Sequence, residues 1–432
     1  MPRDSYGYPL TASDEAAAAY NAGVLDVLRL RAGALDSLQR AVVLDPTFAV
    51  GHAAIALLGH EMVAPVDVAA HIRQARQHAR RATARERSHV RAVVSHVAGD
   101  SRPLIKHLEE HPRDALLLNS AVPTIAFAGA VEAQEEAWAI VERAIPAYGD
   151  DWFFTGLLAF MRQEQRRFDD AMELSLKSLA VEPGAGHSAH ARAHAHYETG
   201  DHEAGLSWMD SWVVGDGKDI ESLSHFSWHA AMHELSLGDL DAVRQRYETQ
   251  LLPENLLGCR GLIDTGSLLY RWALTPNTTD VPDIRRVTDH AGRDVLENPP
   301  SPFVAMHSAV MLLATDDVAG LRSLADWAAR HSNKTQREVV APLASTLALM
   351  ASGQPGAAAD RLGQLAPQIV RLGGSDAQRE IIEETRIAAL LRADRWDDAR
   401  MLIDERLDRR HAHRDVVWRD AALTQAGVAP TR

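Results

Sequence analysis

The stretch RRFDDAMELSLKSLAVEP, residues 166–183, decides the fold class. Its apolar residues recur every three or four positions, which is the spacing of one face of a helix. Ala171, Ser178 and Pro183 follow one another at seven and five residues. Small residues and a proline at this spacing are typical of the second helix of a tetratricopeptide repeat, a helical hairpin of about 34 residues. Counted back, the first helix of this hairpin begins at Trp152.

The same pattern recurs on both sides of this hairpin. RAGALDSLQRAVVLDP (31–46) repeats the spacing, and RADRWDDARMLIDERL (392–407) begins another second helix at Trp396. The turn glycines Gly200 and Gly238 lie 38 residues apart, close to one repeat. Strand patterns are nearly missing. We therefore predict an all-α fold, an α-solenoid of tetratricopeptide-like helical hairpins curled around a concave groove or pocket.

The repeats imply a simple domain organisation. We predict one helical-repeat solenoid over residues 1–432, with the clearest repeats at 15–60, 152–253 and 380–425. A chain of this length exceeds the size of a single compact core, which an elongated repeat array does not need.

Composition excludes several classes of function. The net charge is −14, so the overall field disfavours nucleic acid and anionic membranes as partners. Cys259 is the single cysteine, so no intramolecular disulfide can form. No apolar run approaches the roughly 20 residues that span a bilayer, and the N-terminal residues lack the apolar region of a signal peptide. We expect a cytoplasmic protein; its oligomeric state is left open.

Seven segments, in order along the chain, resemble the tetratricopeptide-repeat protein 38 family, of which this chain would be a bacterial member. They are LDPTFAVGHA (44–53), RERSHVRAV (85–93), SAHARAHAHYETG (188–200), HFSWHAAMHELSLGDLDA (225–242), LIDTGSLLYR (262–271), APLASTLAL (341–349) and IVRLGGSDAQRE (369–380). The resemblance implies a helical-repeat solenoid and no particular reaction. The family's two histidine pairs map onto His190/His194 and His225/His229. Its acidic residue two positions before His307 is Ala305 here.

Histidines are concentrated in HSAHARAHAHYETGDH, residues 187–202. His187, His190 and His194 share one helix face by their spacing, and His202 falls in the turn. The first helix of the next hairpin contains SHFSWHAAMHE, in which His225 occupies the position equivalent to His187 and His229 continues along the same side. In tetratricopeptide arrays this face of the first helix lines the concave groove, so we expect the two sets to meet there.

This arrangement has three interpretations. Two HxxxH pairs on adjacent helices could bind a transition metal through imidazole nitrogens; the candidate ligands are His190, His194, His225 and His229. A metal-free pocket could use imidazoles to bind a ligand or move protons, with His190, His194 and His229 as catalytic candidates. Alternatively, neighbouring groups simply satisfy the histidines.

Two further segments add polar side chains. DTGSLLYR places Asp264, Ser267 and Arg271 along one helix stripe, which predicts either a local Asp264–Arg271 ion pair or an arginine that binds an anion. LGGSDAQRE carries Asp376, Gln378 and Arg379 after a Gly-Gly pair. Ser375 or Asp376 can cap a helix there, and the alternative is that 376–379 reach the groove.

Together these segments predict a binding site for a small molecule or short peptide, with acid–base catalysis as an open question. No cofactor is predicted apart from the optional transition metal. The alternative function is a protein-interaction scaffold without catalysis. The predicted ligand-binding residues are His187, His190, His194, His225, Trp228, His229, Asp264, Ser267, Arg271, His307, Asp376, Gln378 and Arg379.

Overall fold

The computed structural model of the chain describes residues 1–61, 65–127, 131–256, 258–276, 278 and 280–425, and side chains outside 122–137. In these ranges the regular elements are helices, and β-structure is limited to the isolated bridges Arg3–Pro9 and Arg31–Ile220. The all-α prediction is confirmed. No helix in these ranges is both long and apolar enough to cross a bilayer.

The helices follow one another with short connections. The first twelve are α1 (Asp14–Arg29), α2 (Ala34–Leu44), α3 (Ala49–Glu61), α4 (Val68–Ala79), α5 (Ala84–Val97), α6 (Arg102–Glu110), α7 (Ala115–Phe127), α8 (Val131–Tyr148), α9 (Trp152–Glu164), α10 (Phe168–Val181), α11 (Gly186–Thr199) and α12 (His202–Val214). The next twelve are α13 (Leu223–Leu237), α14 (Leu240–Gln250), α15 (Ser267–Ala273), α16 (Arg285–Ala291), α17 (Arg293–Glu297), α18 (Pro302–Ala314), α19 (Val318–Arg330), α20 (Ala341–Ala351), α21 (Pro355–Leu365), α22 (Asp376–Arg392), α23 (Trp396–Arg409) and α24 (His413–Gln425). Short 3₁₀ or π-helical turns cover Pro253–Asn255, Gly261–Gly266, Gln336–Val340 and Ala366–Leu372.

The chain divides into two compact units. As far as these ranges are described, the first comprises Met1–Ala126, Glu132–Arg192 and Val214–Glu221, and the second comprises Phe127–Val131, Ala193–Val213 and Ser222–Arg432. Helix α11 begins in the first unit and ends in the second. The single solenoid over 1–432 and its curvature around a groove stay predictions.

The first unit contains the hairpin on which the fold was predicted. Helix α9 begins at Trp152 and packs along α10, as the repeat spacing predicts. Ala171 and Ser178 are buried, and the Ser178 hydroxyl donates to the Trp152 carbonyl at 2.7 Å. Small residues at these positions let the two helix backbones approach closely. The hairpin therefore has the tetratricopeptide register, and the α-solenoid class of repeat follows.

Several pairs of consecutive helices are joined by the same kind of hinge, a residue with left-handed backbone torsion. Glycine occupies some hinges, as at Gly200 (φ 77°) and Gly238 (φ 81°). Others carry a side chain, as at Leu30 (φ 55°) and Arg166 (φ 59°). A left-handed residue at a helix end satisfies the last carbonyl groups and reverses the chain.

The second unit has an extensive apolar core to which α13, α18, α20 and α22 contribute. Helix α18 is buried on all sides along most of its length, from Val304 to Leu313. Helix α13 is buried from His225 to Ser236, although it carries three histidines and a glutamate. A helix buried all round must satisfy its polar side chains internally. Two of these side chains, His225 and His229, belong to the site described next.

The π-helical turn Gly261–Gly266 precedes α15 and changes its register. A π turn inserts an extra residue relative to α-helical spacing, so side chains before and after it point in directions that the 3.6-residue period does not predict. Asp264 lies inside this turn, whereas Ser267 and Arg271 lie after it. The turn is buried against α18 and α16.

Candidate functional site

Most of the predicted site residues converge inside the second unit. They come from five elements: α11, α13, the π turn with α15, α18, and α22. We define the imidazole cluster as His194, His225, His229 and His307 with Asp264 and Arg271. All six residues are buried, with exposures from 0 to 8%.

His225 and Asp264 form the pair at the centre of this cluster. The Nδ1 atom of His225 lies 3.0 Å from Oδ1 of Asp264, whose side chain is fully buried. Burial raises the pKa of Asp264, but the charge and hydrogen bond of His225, with Arg260 and His307, outweigh it and hold the pKa below its usual value. Asp264 is thus a carboxylate that accepts the Nδ1–H of His225. In the neutral tautomer that donates from Nδ1, Nε2 is the nitrogen that carries the lone pair.

Aromatic rings fix the orientation of this histidine. Trp228 stacks on His225 with ring centroids 5.6 Å apart and an interplanar angle of 6°. The indole N–H of Trp228 donates to the Ser267 hydroxyl at 2.9 Å, which anchors α13 to α15. The His229 ring lies 4.7 Å from His225 and 4.5 Å from His194, both edge to face. Burial lowers the pKa of His194 to about 3, so this ring is neutral at pH 7.

Arg271 corrects one sequence-based expectation. Its guanidinium Nε lies 2.8 Å from Oε2 of Glu384 on α22, and both side chains are fully buried. Arg271 also donates to the Ala377 carbonyl at 2.7 Å. The predicted local pair with Asp264 is wrong, because the π turn between them breaks the α-helical spacing and each residue has a partner on another helix. The guanidinium lies 6.0 Å from the Trp228 ring, so it belongs to the same cluster.

His307 is the most deeply buried imidazole of this cluster. Its exposure is 0%, and within the described part of the chain neither ring nitrogen has a hydrogen-bond partner. Burial, together with the charge of Arg271, lowers the pKa of His307 to about 3 against the opposite effect of Asp264. Ala305, two positions before His307, is buried and adds no charge. Two orphaned ring nitrogens in a buried cluster require an explanation such as a ligand.

The segment 375–379 both caps a helix and lies beside the cluster. Ser375 accepts from the Gln378 N–H at 3.3 Å, while the Gln378 side chain accepts from the Ser375 N–H at 3.0 Å, a capping box at the start of α22. The Arg379 guanidinium donates to Asp376 at 2.6 Å and to the Gly374 carbonyl. Asp376 and Arg379 both act electrostatically on His194. Capping is confirmed, and the segment also reaches the imidazole cluster.

His187 and His190 belong to the first unit. His187 is buried, its Nε2 lies 2.6 Å from Oδ1 of Asn119, and burial lowers its pKa to about 4. His190 stacks on Phe160 with ring centroids 5.2 Å apart. Their part in a ligand site, and the four-histidine metal site, stay predictions. His202 was expected in the turn, but it is the first residue of α12, with its Nε2 2.9 Å from the His411 carbonyl oxygen.

Sequence reasoning missed two groups. Glu384 neutralises Arg271; its only signal was that it follows Asp376 and Glu380 at four-residue steps, on one face of α22. A second buried group lies in the first unit and contains His89, His107 and Asp114. The sequence offered even less indication of this group than of Glu384, because Asp114 does not lie in a motif with either histidine.

Comparison with known proteins adds a likeness in fold. No protein-family model matches the sequence. The crystal structure of yeast Tom70 is similar at 14% sequence identity and a TM-score of 0.39, over 96% of this chain and 90% of that chain.

Proposed function

We propose that the protein binds a small, uncharged polar molecule at the imidazole cluster and that His225, held by Asp264, acts on it as a general base and acid. The observation that carries the proposal is the His225–Asp264 pair at 3.0 Å. A buried carboxylate on Nδ1 favours the tautomer in which Nε2 can take and return a proton, which is the division of work in catalytic His–Asp pairs.

The surroundings of the pair support a prepared site. Trp228, held by Ser267, stacks on the His225 ring, and the His229 ring contacts both of them edge to face. Rigid placement of the reacting group accounts for much of the rate that an active site provides.

The charges favour an uncharged ligand over an anion. Glu384 neutralises Arg271, and Asp376 pairs with Arg379, so neither arginine offers a full positive charge. Arg271 Nη1 and both ring nitrogens of His307 are buried without hydrogen-bond partners among the described residues. A ligand with hydroxyl or carbonyl groups would supply the partners that these atoms lack.

Membership of the tetratricopeptide-repeat protein 38 family is part of this proposal, because the histidine pairs and the segments 262–271 and 369–380 carry both the resemblance and the cluster. The competing function is a protein-interaction scaffold, a common use of helical-hairpin repeats. A scaffold would bind an extended or helical peptide and would not depend on the His225–Asp264 pair.

The test is a thermal-shift and native mass-spectrometry screen of the tag-free chain against neutral metabolites bearing hydroxyl or carbonyl groups. We expect at least one compound to bind the wild type, and His225→Asn to weaken it tenfold or more. His290→Asn is the matched control, because His290 is an exposed histidine of the same unit. For any turnover found, Asp264→Asn should lower kcat more than it changes KM, since it alters the tautomer rather than the binding contacts.

Two outcomes contradict the proposal. One is that no compound of this class binds the wild type while a peptide library yields ligands insensitive to His225→Asn, which would favour the scaffold. The other is that His225→Asn and His290→Asn bind the compound equally well.

A further inference from the structure

A second group of buried polar side chains lies in the first unit, where α5, α6 and the start of α7 meet. His89 lies on α5, His107 on α6, and Asp114 directly before α7. Their exposures are 0%, 1% and 2%. We call these three residues the His–Asp–His cluster. They play no part in the function proposed above.

The cluster has a compact geometry centred on one carboxylate oxygen. Oδ2 of Asp114 lies 2.8 Å from Nδ1 of His89 and 2.8 Å from Nε2 of His107. One nitrogen or oxygen from each of the three side chains lies within 4.8 Å of the others. The rings are edge to face, with centroids 5.9 Å apart.

We propose that the His–Asp–His cluster binds a zinc ion. Two imidazoles and a carboxylate are ligands that zinc accepts, and three protein ligands leave a fourth position for water or a further ligand. Bond lengths of about 2.0–2.2 Å in a tetrahedral site put neighbouring ligand atoms about 3.3 Å apart. The two nitrogen-to-oxygen separations of 2.8 Å are therefore within about half an ångström of a coordinating arrangement.

The outer contact of His107 fits this role, whereas the outer nitrogen of His89 has no hydrogen-bond partner among the described residues. A histidine that binds metal through one nitrogen usually donates its other N–H to a neighbour. Nδ1 of His107 lies 3.0 Å from the Ser88 hydroxyl, so it can donate there while Nε2 binds zinc. Nε2 of His89 is buried without a hydrogen-bond partner among the described residues, and it receives the ring proton when Nδ1 binds the metal.

Arg85 is the main opposing group, because its guanidinium lies 2.6 Å from Oδ2 of Asp114. It also lies 3.4 Å from Oδ2 of Asp4, so it has a second carboxylate to pair with. The two carboxylates and one guanidinium leave a net negative charge of one unit, which favours a divalent cation. Without metal, the same residues would only link the helices by hydrogen bonds. The experiment must therefore distinguish metal binding from this structural role.

The experiment uses the tag-free full chain, treated with chelator and then given one equivalent of Zn²⁺ before gel filtration and elemental analysis. The variants are His89→Asn and His107→Asn. The matched control is His111→Asn, because the His111 ring lies 4.8 Å from His107 but is not in the ligand set. We expect about one zinc per chain in the wild type and the control, and at least a hundredfold loss of affinity in the two ligand variants.

Circular dichroism checks that each variant folds. If a ligand variant fails this check, the Co²⁺-loaded wild type decides: intense tetrahedral absorption supports the site, and weak six-coordinate absorption overturns it. A wild type that retains no zinc overturns the proposal. So does equal retention by all four proteins, which would reflect binding to surface histidines, or loss of zinc in His111→Asn.

Discussion

Changing Glu384 should markedly lower the stability of the second unit. Its carboxylate is fully buried and contacts three guanidinium groups, those of Arg271, Arg406 and Arg414. Burial raises the pKa of Glu384, but the three arginines outweigh it and hold the pKa below its usual value. The substitution Glu384→Gln keeps the shape and removes the charge.

The magnitude follows from which arginine loses its partner. Arg406 keeps Asp415 at 2.8 Å, and Arg414 keeps the same carboxylate at 3.9 Å. Arg271 has Glu384 as its ion-pair partner in the described chain and is 0% exposed. Leaving a buried charge uncompensated costs about 3–5 kcal/mol, so we expect Glu384→Gln to lower the free energy of unfolding by that amount.

The measurement is urea unfolding followed by tryptophan fluorescence and circular dichroism. Glu254→Gln is the matched control, because the exposed pair Glu254–Arg286 belongs to the same unit and surface pairs contribute little; its urea midpoint should not change. In an Arg271→Met background, the loss in free energy of unfolding caused by Glu384→Gln should be about 2 kcal/mol smaller, because no unpaired buried charge remains at position 271. A loss below about 1 kcal/mol in the wild-type background, or the same loss in both backgrounds, would refute the reasoning.

Three further predictions concern pH, capping and packing. The pKa of His307 is about 3 in the fold and about 6.5 unfolded, so the unfolded chain binds more protons between these values; stability is complete above pH 6.5 and falls below it, by about 2 kcal/mol at pH 5. His307→Gln should flatten the dependence of the urea midpoint on pH between 7 and 5 by this amount, and an unchanged slope would contradict it. Ser375→Ala removes a capping box and should cost about 1 kcal/mol in the same assay; no loss would mean that the cap contributes nothing. Ala171→Leu overpacks the α9–α10 contact and should lower stability by about 1–3 kcal/mol, whereas Leu176→Ala, at a side chain 46% exposed, should change it little; equal effects would contradict the repeat register.

The helical fold could be predicted because its signals are local. α9 and α23 begin at Trp152 and Trp396 as the repeat spacing predicts, because each helix start follows from small residues within the same hairpin. Gly200 and Gly238, predicted as turn glycines, do lie between helices, and both have left-handed torsion. The division into two compact units had no such local signal.

The site was predictable only as a set of residues. Repeat register brought His225 and His229 to one helix face, but it could not pair His225 with Asp264, 39 positions away. That pair depends on a π turn, which no periodicity indicates. Arg271 was paired with the wrong carboxylate for the same reason, since Glu384 is 113 positions further along the chain.

The left-handed hinge also affects how related helical hairpins can be recognised. In the described chain, examples lie between α1 and α2, α9 and α10, α11 and α12, α13 and α14, α18 and α19, α20 and α21, and α22 and α23, at Leu30, Arg166, Gly200, Gly238, Asp316, Gly353 and Asp394. Four of these seven positions are not glycine, so the backbone torsion is kept where the residue type is not. A search that scores the backbone torsion between two helices should therefore find hairpins of this kind that sequence comparison misses.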